Sequence, residues 1–402
     1  MKHVVTFLFL WTFSLAAEAQ LFSATSVERQ SLAATEYNAM TATINGNLLR
    51  NKTAEFDVDL PNGTKTTAVF SRLKSYSNNR YSWFGHIKSH PDEQIIISQT
   101  KGAYAGAIYS HSGTFEIQPM KAGQVRVVEL NSEAFPDCEA GEVPPNSTVE
   151  QQKHSPTIQA PTRGGTVDFD VVVVYTPEAR DGAGGVAQIE ATALAAVDAM
   201  NLSMSNSLVD AEANLSYTGL VGYNDSGDSS TDLNWVRTSS QVGTIRTAFG
   251  GDMVSLLVQT MGGCGRGYVM RNPGPGFASS AVQVTRRSCA VGNLSFAHEF
   301  GHNLGLEHNP EDSSATSATA SNPWSFGQYH SGAYRTVMSY SNPCTGGCTR
   351  RQYFSNPDVQ FMSLDTGVAN TKDNARTLRQ TTPIAAAFRP AANDIIFENS
   401  YE

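Results

Sequence analysis

A chain of 402 residues exceeds one ordinary domain and allows two sizeable cores. With 40% apolar and 16% charged residues it reads as globular rather than disordered, and a net charge of −9 argues against a nucleic-acid partner, which needs a basic face. Residues 1–19 read as a signal peptide. Lys2 and His3 supply a positive start, Val4 to Leu15 is almost wholly apolar, and Ala17-Glu18-Ala19 fits a small-x-small cleavage site. The mature chain is expected to begin near Gln20, exported and soluble, because no stretch is long and apolar enough to span a membrane.

Residues 20–138 carry short alternating runs such as AEFDVDL (54–60), EQIIISQT (93–100) and QVRVVEL (124–130), separated by turn signals such as Pro61-Asn62-Gly63. They are expected to form a β-rich unit. Residues 139–165 are rich in Pro, Ser, Thr, Gln and Gly, the composition of an exposed linker with a processing site. Lysine usage changes across it, Lys372 being the only lysine beyond Lys153.

A second unit is expected over 166–390, before a tail at 391–402 with no assignable chemistry. VDFDVVVVY (167–175) predicts a buried strand and the Ala-rich 185–204 a helix. Strands follow at 213–223, 251–260, 265–270 and 279–287, with helix from 231 to Phe249 capped by Ser230 or Thr231. This alternation predicts an α/β layer on a mostly parallel, twisted sheet. NDSGDSSTD (224–232) is acidic enough to suggest calcium but lacks the spacing of an EF-hand loop, and reads as a solvated turn with a helix cap.

Residues 298–308 read HEFGHNLGLEH. His298 and His302, four apart, share one face of a helix, and neutral imidazoles suit Zn²⁺. A continuing helix would carry His308 away from them, but Gly305 can end it and let the chain turn back. Three histidines leave a fourth position open, the catalytic arrangement. Glu299 sits beside the ligands, placed to reach water without binding metal.

This extended motif, followed by Met338 in SGAYRTVMSYSN (331–342), resembles the metzincin zinc endopeptidases. Residues 167–390 are similar to reprolysin-like bacterial secreted peptidases and to the peptidyl-Asp metalloendopeptidases; one departure is Asn309, where many reprolysins carry Asp. The resemblance implies an α/β (α+β) metzincin catalytic domain with a mostly parallel twisted sheet and an active-site helix, preceded by a β-rich propeptide. It implies Met338 as an apolar floor under one zinc ion, Glu299 as general base, and protein or peptide substrates laid along an edge strand at 265–270. Tyr340 resembles a tyrosine that binds zinc or stabilises the oxyanion in some metzincins, a structural tyrosine being the other reading. Arg335, Arg350 and Arg351 flank the methionine turn, where the family builds its specificity pocket. They suggest an acidic residue after the cut, against plain solvated arginines.

The five cysteines leave one unpaired. Cys344–Cys348 and Cys264–Cys289 are the expected disulfides, with reduced thiols or crossed pairing still open. Cys138 is alone outside the second unit, and metzincins use a propeptide cysteine to block the zinc; an idle thiol or an intermolecular disulfide are the alternatives. The rival functions are a non-enzymatic adhesion or binding module on the same fold, and a closed structural zinc site.

Overall fold

The computed structural model describes residues 19–28, 32–77, 79–139, 141–144, 162–163 and 165–390. The expected signal peptide apart from Ala19, most of the expected linker and the tail lie outside the described residues.

The alternating runs form nine strands: β1 (Phe22–Glu28), β2 (Glu36–Ile44), β3 (Glu55–Asp59), β4 (Lys65–Ser77), β5 (Arg80–Ile87), β6 (His90–Thr100), β7 (Ala103–Ser110), β8 (Gly113–Pro119) and β9 (Gln124–Leu130), with a one-turn helix α1 (Gly46–Arg50) after β2. Neighbours pair in the order β1-β2-β9-β8-β7-β6-β5-β4-β3, all antiparallel. Lys101 and Gly102, at φ 50° and 83°, make the two-residue turn that joins β6 to β7. The start of the chain closes the sheet onto its far edge: Leu21 N–H donates to Asp57 O (2.8 Å) and Asp57 N–H to Ala19 O (2.9 Å). Trp83, Ile95, Ile97, Ile108 and Phe115 fill the interior. Successive side chains on a strand face opposite ways. Here the outward set, Phe84, Ile96, Ala107 and Tyr109, is also apolar and enters the core of the second unit.

That core is built on β11 (Thr166–Tyr175), which pairs in parallel with β12 (Ala211–Leu220) and β13 (Met253–Val258). A two-residue strand β10 (Thr162–Arg163) precedes β11 and pairs with it antiparallel. β13 continues in parallel to β15 (Val282–Arg286), and β14 (Gly265–Gly267) forms the antiparallel edge. The mostly parallel sheet thus matches the sequence expectation. α2 (Pro177–Ala183), α3 (Val186–Asn206), α4 (Ser229–Thr238) and α5 (Ser240–Ala248) connect the strands.

α3 is buried nearly all round, including Ala191, Ala193, Ala195, Ala196 and Ala199. It lies between its own sheet and the outer face of β6 and β7. Its alanines allow that close approach on both sides, and a helix apolar all round is one with no solvent face. Asp198 is one of several polar side chains that α3 buries. It is 1% exposed and accepts from Ser82 Oγ (2.5 Å), Ser98 Oγ (2.6 Å) and Tyr76 OH (3.1 Å), all from the β-rich unit.

Two local expectations are corrected. The cap of α4 is Asp228, whose side chain accepts from Thr231 N–H, rather than Ser230 or Thr231, because a carboxylate three residues before an unpaired N–H caps it best. The acidic turn is not simply solvated either. Asp232 is fully buried, accepting from Tyr223 OH (2.6 Å) and Ser226 N–H (3.1 Å).

Beyond the helix α6 (Ser295–Asn303), which carries His298 and His302, the chain is irregular, with short strands β16 (Tyr329–His330), β17 (Tyr334–Arg335) and β18 (Thr349–Arg350) and a closing helix α7 (Asn374–Ala385). Cys264–Cys289 and Cys344–Cys348 are bonded, and Cys138 is free and buried. Among the described residues no helix is long and apolar enough to cross a membrane.

Candidate metal centre

α6 carries His298 and His302 on one face. It stops at Gly305, which sits at φ 87°. Gly305 N–H donates to His302 O (2.9 Å) and Leu306 N–H to Gly301 O (2.9 Å), the paired bonds of a glycine C-cap. The reversal returns His308 to the helix face. Its Nε2 lies 3.2 Å from Nε2 of His298 and 3.0 Å from Nε2 of His302.

The far ring nitrogens settle the tautomers. Nδ1 of His298 faces Val337 O at 2.9 Å, that of His302 faces Leu306 O at 2.8 Å, and that of His308 faces Asp312 O at 3.4 Å. A nitrogen donating to a carbonyl carries the proton, so each Nε2 presents a lone pair. Three buried lone pairs converging on one point repel each other unless a cation lies among them. Ligand nitrogens on a tetrahedral zinc stand roughly 3.3 Å apart, so the donor set fits such an ion. Burial, then the charge His302 would carry, holds His298 and His308 well below the usual imidazole range, in the neutral form that ligation needs.

Glu299 is fully buried, and among the described residues only the Cys138 thiol is set to donate to its carboxylate. Burial pushes its carboxyl up to about 8. β14 makes room for it: a Cβ on Gly265 would stand 2.5 Å from Glu299 Oε1, and one on Gly267 would stand 2.9 Å from Glu299 O. On the opposite side a Cβ on Gly301 would stand 2.4 Å from Met338 Sδ, so the methionine lies directly against the helix. Asn309 Oδ1 accepts from Tyr340 N–H (3.0 Å), tying the residue after His308 to the methionine turn. The Tyr340 ring centroid is 4.0 Å from that of His308.

The end of the β-rich unit crosses this centre. Cys138 Sγ lies within 4.8 Å of a ring nitrogen of His298 and a carboxylate oxygen of Glu299. Cys264 N–H donates to Asp137 O (3.3 Å), Glu139 N–H to Gly265 O (2.9 Å), Glu142 N–H to Gly267 O (3.0 Å) and Val269 N–H to Glu142 O (2.9 Å). Tyr340 OH donates to Cys138 O, and Arg266 pairs with Glu139. A Cβ on Gly141 would stand 3.3 Å from His302 Nδ1. The linker expectation is therefore corrected at its start. Residues 139 and 141–142 are bound, because their backbone groups complete an otherwise unpaired sheet edge.

The three arginines are buried, 2–3% exposed, not solvated. Arg351 donates to Ser110 O (2.6 Å) and His111 O (3.3 Å) of the β-rich unit, and Arg335 to Ser339 O (2.7 Å) and Cys348 O (3.2 Å). Arg350 donates to Asn293 O (3.0 Å). Sequence reasoning missed Gly265 and Gly267, although glycine inside a strand signals close approach of another group. It also missed Asn303, whose Nδ2 donates to Tyr268 O (2.9 Å) and Val282 O (3.0 Å) and fixes α6 to the sheet.

Comparison with known proteins agrees with this geometry. The family described as Metallo-peptidase family M12 matches residues 165–355. A peptidyl-Asp metalloendopeptidase of Stenotrophomonas maltophilia (strain K279a) is 26% identical over 354 residues, covering 81% of each chain. One from Xanthomonas campestris is 24% identical and covers 81% of this chain and 80% of its own. One from Pseudomonas fragi is 36% identical over 115 residues, 28% of this chain and 69% of that one. The 81% spans exceed what residues 165–390 alone supply, so the similarity reaches into the β-rich unit. With its three converging histidines and the buried glutamate beside them, the chain belongs to metallo-peptidase family M12 and is a metalloendopeptidase.

Proposed function

We propose that this is a secreted zinc endopeptidase of the metzincin type, made as an inactive precursor, that prefers bonds followed by an acidic residue. The observation that carries the reading is the buried carboxylate of Glu299, faced only by the Cys138 thiol, beside three Nε2 lone pairs whose Nδ1 protons are all held by backbone carbonyls. His298, His302 and His308 would hold the ion, which supplies a Lewis acid able to polarise a carbonyl and lower the pKa of water. Glu299 takes the proton from the attacking water and delivers it to the leaving nitrogen. Its position beside the three histidines, not among the ring nitrogens that converge, supports that role. Tyr340 orients a carbonyl, supported by the bond it already makes to Cys138 O. The edge strand β14 would pair with substrate backbone as it does with Glu139 and Glu142.

The signal peptide supports export. The precursor is inhibited by its own residues 20–138, supported by the Cys138 thiol beside His298 and Glu299 and by the backbone pairing along β14. The preference for an acidic residue is supported by the relatives named for Asp and by the arginines at the methionine turn. The test is Glu299→Gln on the processed enzyme. Metal content should stay, and hydrolysis should fall by about 10²–10⁴, the usual worth of a general base. His302→Ala should lose both. Glu299→Gln within about tenfold of wild type would rule the mechanism out.

A further inference from the structure

The face of β14 turned away from the metal carries a cluster of its own. Gly265 and Gly267 face Glu299, where an added Cβ would collide with it, so Arg266 between them points to the opposite side of the sheet, toward α4. There its Nε donates to Ser229 Oγ (2.8 Å), and its terminal nitrogens meet the carboxylates of Glu139 and, at 3.7 Å, of Glu142. Ser229 Oγ in turn donates to Glu139 Oε2 (2.6 Å). Among the described residues Glu139 and Glu142 are the ion-pair partners of Arg266, and both come from the segment that crosses the cleft. Asp228 and Glu299, carboxylates of its own unit, are near enough to feel its charge but form no ion pair with it.

The niche that holds Glu139 is built by the second unit. Ser229, the first residue of α4, is 1% exposed. Gly262 and Gly263 leave the space that the glutamate fills. A Cβ on Gly262 would stand 3.2 Å from Glu139 Oε1, and one on Gly263 would stand 3.2 Å from Glu139 Cγ. A guanidinium, a buried hydroxyl and two residues without side chains thus converge on one carboxylate, the arrangement that gives a strong, charge-assisted hydrogen bond. When the segment leaves, Ser229 and Arg266 lose the acceptor they share, and a buried donor without one is costly.

We propose that this niche is a second substrate subsite, separate from the metal centre and from the methionine turn, which takes the carboxylate of a glutamate side chain in a peptide paired along β14. Glu139 fills it in the precursor. This rests on the peptidase reading above. Side chains on a strand alternate, so the residue held here faces away from Glu299, and its selection is independent of any selection made just after the cut bond.

The experiment uses the processed enzyme and peptides that share one cut site and carry Glu or Gln at each remaining position in turn, on both sides of the cut. Wild type should favour Glu over Gln at one position, other than the residue just after the cut, by about tenfold or more in kcat/KM, the usual worth of a charge-assisted hydrogen bond. Arg266→Gln, checked for unchanged metal content and thermal unfolding, should bring that ratio to within about twofold. Ser229→Ala should lower it by about threefold or more. An intact ratio in Arg266→Gln overturns the proposal; if that variant does not fold, an intact ratio in Ser229→Ala overturns it. Wild type that cleaves the peptides with no such preference leaves the peptidase standing, sinks the subsite, and makes the niche a hold for the precursor alone. Wild type that cleaves none of them overturns the peptidase reading and the subsite with it.

Discussion

At Gly265 one methyl group would collide with the carboxylate of Glu299, the proposed general base. The added Cβ would stand 2.5 Å from Glu299 Oε1 and 2.6 Å from its Cγ, in a site with no free volume to one side and the metal ligands on the other. Gly265→Ala should therefore displace Glu299 while leaving the three histidines in place. Hydrolysis is expected to fall by at least about 100-fold with metal content unchanged; loss of metal in parallel would mean that the helix itself had moved. The histidines and Glu299 were legible because their spacing within one helix and one glycine cap is a local matter. Gly265 was not, because its importance comes from a side chain 34 positions away in the chain. Arg350 was visible as a basic residue near the methionine turn, but its burial against Asn293 O exists only after folding.

At the scale of elements, α3 joins the two units, and Asp198 is its point of tension. Burial holds its carboxyl above the usual range although Ser82, Ser98 and Tyr76 donate to it. Lys74 and Arg80 are the cations that face it from the β-rich unit. A carboxyl whose pKa is raised on docking favours the docked state fully below the ordinary carboxylate range. That contribution is lost as pH rises through the raised value. The β-rich unit should thus grip most tightly in acid and loosen toward alkaline pH. Asp198→Asn should flatten this slope above the ordinary carboxylate range, read from thermal unfolding of the precursor. An unchanged slope would exclude Asp198 as its source. The helix was read correctly from its alanines, yet its second buried face was not, since periodicity cannot say what covers a face. EQIIISQT carried the complementary hint: Ile96 is as apolar as Ile95 and Ile97 because the strand is covered on both sides.

For the whole molecule, one continuous core crosses the boundary that the linker composition marks. Phe84, Ile96, Ala103, Ala105 and Tyr109 bury their side chains among residues of the second unit. Each large apolar side chain so buried contributes about 1.5–3 kcal/mol relative to exposure. Cutting within 145–161 should then leave both pieces associated. They are expected to co-elute on size exclusion and to remain inhibited, with hydrolysis appearing only after the β-rich unit is lost or digested. Activity at full level in an intact nicked complex would contradict this. Composition suggested a boundary, but the strength of the join was not legible, because it is distributed over strands read one at a time.

A helix that completes two cores also constrains inheritance. α3 meets β12 on one side and β6 and β7 on the other, so a change of size at Ala195 or Ile96 must be answered by a partner in the other unit. The two segments of the gene are expected to drift together rather than separately. At roughly a quarter identity to its relatives, the β-rich unit of one protein should dock poorly on the second unit of another. Chimeras that exchange residues 20–138 between them should express less soluble protein than either parent, and restoring the matching face of α3 should recover it.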